Sequence, residues 1–176
     1  VAFLKFSHNA VIAPYKDKTA LMIRLTPFKN TNLTDAEAKI TVGIIVEEAG
    51  VVSNKFYSLD LELDKINALT LSWTLVHPIT EDSPLYQFGK EDFETINGEI
   101  LVYIKTFDDM FSNTVAIRTS YTFEEVVYGA KFQPLSSCLA VYVFSGSSQK
   151  APLRGQNKMP LIRWHFFEIF QKLKIF

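Results

Sequence analysis

Residues 38–46 read AKITVGIIV, and their alternation decides the class of structure: Ile40, Val42 and Ile44 face one way, and Lys39, Thr41, Gly43 and Ile45 the other. Successive side chains on an extended chain point to opposite faces, so this is the pattern of a half-buried antiparallel strand. Working outward, residues 10–14, 20–25, 55–61, 70–76, 99–107, 115–120 and 125–130 have similar strand chemistry, rich in Val, Ile, Thr, Phe and Tyr. Turn-prone pieces at 16–18, 29–32, 47–50 and 53–54 separate them. Residues 91–96, EDFETI, predict one short helix. Its acidic start suits the positive helix N-terminus, Phe93 and Ile96 make a single apolar stripe, and Asn97-Gly98 stops it. Many short strands at this spacing predict an all-β, immunoglobulin-like β-sandwich without the Cys–Trp–Cys signature of antibody domains.

At 176 residues, 48% hydrophobic against 21% charged, the chain has the balance of a globular protein and enough length for one substantial core. No window holds the roughly 18–20 uninterrupted apolar residues that a membrane-spanning helix needs, so the expectation is a soluble or peripheral chain. It starts at Val1 with no basic-then-apolar leader, which reads as a piece of a longer protein. The single cysteine, Cys138, excludes an internal disulfide and suggests a reducing compartment. His8, His77 and His165 are far apart and have no second ligand beside them, so neither a metal site nor a cofactor is expected. The net charge of −1 hides an asymmetry: residues 1–131 carry 18 acids and 12 bases, residues 132–176 one acid and six bases. A net-negative body argues against nucleic-acid binding, which needs a clustered basic face. His77 with Glu81, Asp82 and Ser83 resembles hydrolase parts in composition alone. A triad needs a strained nucleophile turn and an oxyanion donor pair, and no G-x-S-x-G exists here. Pro78 and Ser83-Pro84 read instead as turn residues, with His77 packed or hydrogen-bonded.

Three irregular motifs go beyond generic strand chemistry: FSHNAVIA at 6–13, LVHPITEDSPLY at 75–86 and RTSYTFEEVVYGAKF at 118–132. In this order the chain resembles the cytoplasmic domain of inwardly rectifying potassium channels. That family reads FS-x-x-A-V-I, then H-x-I-x-x-x-S-P-L-Y, then R-x-S-Y-x-x-x-E-[IV]-x-[WY]-G. The resemblance covers about residues 6–132 and implies the same sandwich fold. It also implies a homotetramer around a water-filled extension of a K+ pore, on the cytoplasmic face of a membrane, and a conduction and regulatory module instead of an enzyme. Asp35, in L-T-D-A, matches one family pore acid, and Asp109, nine residues before Arg118, matches a second, with Asp108 beside it. Fourfold symmetry turns each carboxylate into a ring that concentrates cations, Mg2+ or polyamine blockers above all. Met110, Phe111, Ser112, Asn113 and Thr114 fall on the family's gate loop, the alternative being a plain β-turn. Lys5, Lys29, Lys39 and Arg118 match or neighbour basic positions facing anionic phospholipid headgroups, at about 1 kcal/mol per base near a charged surface. Arg118 also has a structural reading, as partner to Glu124, Glu125 or an acid of a neighbouring subunit.

The resemblance sets the domain at 1–135 and leaves 136–176 as a divergent basic tail. Residues 139–144 read as a final strand. Beyond Pro160, the residues Ile162, Phe166, Ile169, Phe170 and Leu173 have helical spacing, which suits either packing against the body or lying on a membrane surface. The rival to the channel reading is a soluble immunoglobulin-like module that binds a partner through an edge strand.

Overall fold

The computed structural model describes residues 4–28, 32–48, 50–132 and 141–143, so Lys29 and nearly all of the tail, its expected helix included, lie outside the described residues. The strands are β1 (Leu4–Phe6), β2 (Ala10–Tyr15), β3 (Lys18–Pro27), β4 (Leu33–Glu48), β5 (Val51–Leu59), β6 (Lys65–Leu69), β7 (Trp73–Ile79), β8 (Gly98–Asp108), β9 (Asn113–Thr122), β10 (Val126–Tyr128), β11 (Ala130–Phe132) and β12 (Val141–Val143). Among the described residues the helix α1 (Lys90–Thr95) stands within a residue of its expected bounds, and a 3-10 turn occupies Phe123–Glu125.

Two five-stranded sheets form the sandwich. In the first, β3 is central: β7 lies on one side, β1 and β2 follow one another on the other, and β10 adds to β2 in parallel. In the second, β4 carries β6 and β5 along one edge and β8 on the other, with β9 outermost. The core between them is filled by Ile12, Leu21, Ile23, Leu25 and Leu75 from the first sheet and Leu33, Ile40, Val42, Ile100 and Ile104 from the second, all fully buried. Tyr121 of β9 ties the layers polar-to-polar: its hydroxyl donates to the Ser7 carbonyl at 2.7 Å. Phe88, Phe93, Phe123 and Tyr128 meet edge-on or tilted, with ring centroids 4.7–6.2 Å apart, so α1 is held by Phe93 and not by propensity, since six residues are too few for a stable isolated helix.

Several expected boundaries are corrected. Ser53 and Asn54 lie inside β5, not in a turn, because Val51 and Val52 extend the hairpin to pair with Glu48 and Glu47. His77 and Pro78 lie in β7, not in a turn. Among the described residues this strand pairs with β3 alone, and a proline without N–H is tolerated on such an edge. The piece 125–130 is divided, with Gly129 at φ +70° between β10 and β11. β6 was hidden in LDKINALT because its alternation is too polar to read as a strand.

Candidate functional site

The site begins with a break in alternation. Between Thr34 and Glu37 the β4–β8 register shifts: Thr34 opposes Phe107 and Glu37 opposes Lys105, so Asp35 and Ala36 share the space opposite Thr106. This is a β-bulge, which re-aims a side chain. Asp35 takes φ +48°, a conformation that Asp tolerates better than most residues, and stands exposed while Ala36 is buried. The buried Thr106 hydroxyl donates to the Thr34 carbonyl at 2.8 Å and satisfies an acceptor near the bulge.

Asp109 reaches the same end of the sheet from a partner strand. Its N–H donates to the Asn32 carbonyl at 3.1 Å, and its Oδ1 accepts from the Thr34 hydroxyl at 3.1 Å. The two acids, far apart in sequence, are therefore brought to one end of the β4–β8 pair, both exposed. Asp108 differs from its expected role as a pore-lining acid. It is fully buried, and its Oδ1 accepts the N–H groups of Met110 (2.9 Å) and Phe111 (3.4 Å). Its other oxygen is buried without a partner. This carboxyl caps the β8–β9 turn, a side chain doing the work of a turn hydrogen bond, and does not face solvent.

That turn runs from the Asp108–Asn113 pair through Ser112 at φ +48°. Its tip exposes Met110 and Phe111, at 64% and 69%, with Ser112, Asn113 and Thr114 exposed beside them. The expected gate-loop residues are thus one hairpin tip, next to the two exposed acids. Among the described residues no group of three or more His, Cys, Asp or Glu side chains is placed to hold a metal ion.

The basic residues divide. Lys5 is exposed on β1 with its ammonium 4.6 Å from the Phe28 ring centroid, on the first sheet. Lys39 and Arg118 lie on the second sheet with Tyr103 in register between them. The Arg118 guanidinium sits 5.5 Å from the Tyr103 centroid instead of on Glu124 or Glu125, and Glu125 accepts from the Thr122 N–H at 2.8 Å. Lys39 pairs with Glu37 at 3.7 Å.

His77 is buried and bonded on both sides: Nδ1 lies 2.6 Å from the Asp60 carbonyl and Nε2 2.7 Å from the Ser83 hydroxyl. A carbonyl oxygen only accepts, so Nδ1 carries the proton. In the neutral ring Nε2 is then the acceptor, and Ser83 donates to it while accepting the Leu85 N–H at 3.1 Å. Burial holds this imidazole below its ordinary value, against the smaller opposing effect of the Asp60 contact. Ser83 is therefore a hydroxyl committed as donor to the ring, and the arrangement fixes a turn. An open cleft of about 220 Å³ adjoins it, lined by Asp60, Glu62, His77, Asp82 and Ser83 among others.

Residues 4–149 match the model of the inward rectifier potassium channel C-terminal domain. The chain belongs to that family. The match runs beyond the quoted motifs at both ends. Among curated relatives, inward rectifier potassium channel Kirbac3.1 of Paramagnetospirillum magnetotacticum is 29% identical over 128 residues, 72% of this chain and 43% of that protein. ATP-sensitive inward rectifier potassium channel 12 of Gallus gallus is 31% identical over 137 residues, 75% of this chain and 32% of its own length. Inward rectifier potassium channel 4 of Mesocricetus auratus is 32% identical over 138 residues, 75% and 31%. The chain thus spans less than half the length of these relatives. A solved structure, the sporulation control protein Spo0M of Bacillus subtilis, covers 72% of this chain and is half covered by it, at TM-score 0.34 and 9% identity, too distant to carry an argument. The family is one of channels and not of enzymes, which fits a histidine–serine pair spent on a turn. No helix among the described residues is long and apolar enough to cross a membrane.

Sequence reasoning missed Thr34 and Thr106, the two hydroxyls that set the positions of Asp109 and the bulge. The signal available was the lost alternation at L-T-D-A, where a period of two does not continue from Leu33 into residues 38–46.

Proposed function

We propose that this chain is the cytoplasmic, pore-extending domain of an inward rectifier potassium channel, and that the domain runs past the expected end at 135, a reading supported by the pairing of β12 (Val141–Val143) with β11 and by the family match to residue 149. Four copies surround the K+ path, Asp35 and Asp109 form acidic rings, and the hairpin tip Met110–Phe111–Ser112–Asn113–Thr114 narrows the path as a gate. The observation that carries this reading is the convergence of Asp35 and Asp109, exposed, at one end of β4 and β8 beside that tip. Asp108 is left out of the rings, because its carboxyl is consumed by the turn. The family membership favours this reading over a soluble partner-binding module.

The chemistry asked of the rings is cation attraction. A divalent ion about 8 Å from one carboxylate in water gains roughly 1 kcal/mol. Four such carboxylates, screened by a Debye length of about 8 Å, keep roughly 1.5 kcal/mol, about a tenfold change in blocker affinity. Mg2+ or polyamines entering from the cytoplasmic side would then obstruct outward current. Anionic phospholipid headgroups are a proposed regulator, with Lys5 as the first-sheet contact, while Lys39 and Arg118 lie together on the other sheet. The test is Asp35→Asn and Asp109→Asn in the full-length channel, measured in excised patches. The expected result is a rise of about tenfold in the Mg2+ or spermine concentration for half-block, with K+ conduction retained. Unchanged block in both variants would refute the acidic-ring assignment.

A further inference from the structure

Alternation along β8 puts Ile104, Thr106 and Asp108 on the face that meets the core, all three buried, with Lys105 exposed and Phe107 half-buried between them. Opposite Asp108 on β4 stands Leu33, which is itself opposite Leu69 of β6, and both leucines are buried. A carboxylate therefore occupies the last core-facing position of the strand, in one row with two leucines. Its Oδ1 accepts the N–H groups of Met110 and Phe111, but no donor among the described residues reaches Oδ2. A buried carboxylate oxygen without a partner is more costly than a neutral group in the same place, because nothing replaces the water that it gave up.

The same hairpin carries two more unfavourable features. Ser112 takes φ +48°, a left-handed conformation that crowds its Cβ and that glycine adopts freely. Met110 and Phe111 hold large apolar side chains in water at the tip. Against these stand the two hydrogen bonds of the cap. A segment balanced in this way has a second arrangement close in free energy, in which Oδ1 lets go of the two amides and the whole carboxylate turns to solvent beyond the end of β8. Asp109, the next residue, stays tied to Asn32 and Thr34, so the movement is confined to residues 110–112 and the Asp108 side chain.

We propose that Asp108 is a latch on the β8–β9 tip, a positioning residue whose cap holds Met110 and Phe111 in one arrangement while its unpartnered oxygen keeps the released arrangement within thermal reach. The latch stands on the geometry of this chain alone. Its bearing on conduction rests on the gate assignment proposed above, to which it adds the residue that sets the two states of the tip.

Amide hydrogen exchange of the 176-residue chain, followed by NMR, tests the latch, with thermal unfolding by circular dichroism alongside. In the wild type, exchange at Met110 and Phe111 is expected to be insensitive to low urea, the mark of local opening as opposed to global unfolding. Asparagine and aspartate are about equal as caps when the second side-chain atom is solvated. In Asp108→Asn the buried second atom is neutral, so both amides are expected to exchange about tenfold more slowly and the melting temperature to rise. Ser112→Gly relieves the left-handed residue and is expected to act in the same direction. Asp108→Val removes the cap but adds an apolar side chain to the leucine row, so the two amides are expected to exchange faster while the melting temperature holds or rises. An ordinary turn cap predicts instead that Asp108→Asn and Asp108→Val both melt below the wild type. That result, or exchange at the tip that tracks global unfolding, overturns the latch. In the full-length channel, Asp108→Asn and Ser112→Gly are expected to lengthen the same class of single-channel dwell several-fold, and Asp108→Val to shorten it. Dwell times indifferent to all three variants, with exchange as expected, leave the latch standing and overturn the gate assignment.

Discussion

Replacing Ser83 by Ala removes a hydroxyl that serves two buried groups at once. In the folded chain Ser83 donates to Nε2 of His77 at 2.7 Å and accepts the N–H of Leu85 at 3.1 Å. Leu85 is fully buried and His77 is 3% exposed, so both groups lose their partner away from bulk water. Each orphaned buried group costs about 1–3 kcal/mol. The adjoining cleft of about 220 Å³ can admit water to the imidazole side, so the lower half of that range applies there. The sum is about 2–5 kcal/mol, and at about 2–4 °C per kcal/mol for a chain of this size the melting temperature falls by about 4–20 °C. The assay is thermal unfolding followed by circular dichroism at pH 7.5 and again between pH 7 and 5. The acid side carries a second readout. Burial holds the His77 proton affinity of the folded state below that of the unfolded chain, whose ordinary value is 6.5. The unfolded state therefore binds the proton first, and the stability contributed by His77 is lost as pH falls below about 6.5 toward the folded value, with no dependence on this group above it. In Ser83→Ala the neutral ring has lost the donor that favoured it, so protonation is easier and this acid-side slope shrinks. A variant melting within about 2 °C of wild type at pH 7.5, with an unchanged acid slope, would show that the Asp60–His77–Ser83–Leu85 chain does not hold the turn.

Four further outcomes are expected. Tyr121→Phe leaves the buried Ser7 carbonyl without its 2.7 Å donor between the sheets and should cost about 1–3 kcal/mol by chemical denaturation; no loss would mean the carbonyl finds another partner. Gly98→Ala places a methyl group against the edge of the Phe123 ring, closer than van der Waals contact allows; the ring is 3% exposed and packed against Phe88 and Phe93, and overpacking of this kind costs about 1–3 kcal/mol. Gly43→Ala meets Phe56, whose ring is 58% exposed and free to turn away, so it should cost less than Gly98→Ala in the same assay. Burial first, and the Asp92 carboxylate second, push the Tyr128 hydroxyl up to about 12. Tyr128 should consequently ionise late in an ultraviolet titration, alongside Tyr121 and Tyr15, which are also shifted upward. Stability from this group is lost as pH climbs from its ordinary 10 through about 12, because the folded state holds the proton more tightly. A late component smaller by one tyrosine in Tyr128→Phe is the check.

Local chemistry carried the outline. Alternation in residues 38–46 and 99–107, the acidic start of α1 and the Asn97-Gly98 stop are all readable within a few residues, because strand and helix periods are properties of the chain itself. The three motifs sufficed for the family, since ordered irregular residues are identified by position and type alone. Boundaries were less legible where tertiary pairing overrides local signals. Ser53 and Asn54 enter β5 because β4 offers them partners, and Pro78 stays in β7 because its edge requires no N–H.

The candidate site shows where sequence stops. Asp35 and Asp109 match family pore acids by position and Asp108 stands beside the second, but the chemistry of the three side chains does not tell them apart. Their fates were decided by one register, Leu33 opposite Asp108, together with the bulge that follows it. That register exposes Asp35 and Asp109 and buries Asp108 under its own turn. Likewise, cross-strand pairing gathered Lys39, Lys65, Lys105 and Arg118 and left Lys5 on the other sheet. The sequence by itself determined strand chemistry, the short helix α1 and the family. The tertiary structure decided which charges are neighbours, because a pairing between residues some seventy positions apart depends on the energy of the whole sheet and has no local period from which to read it.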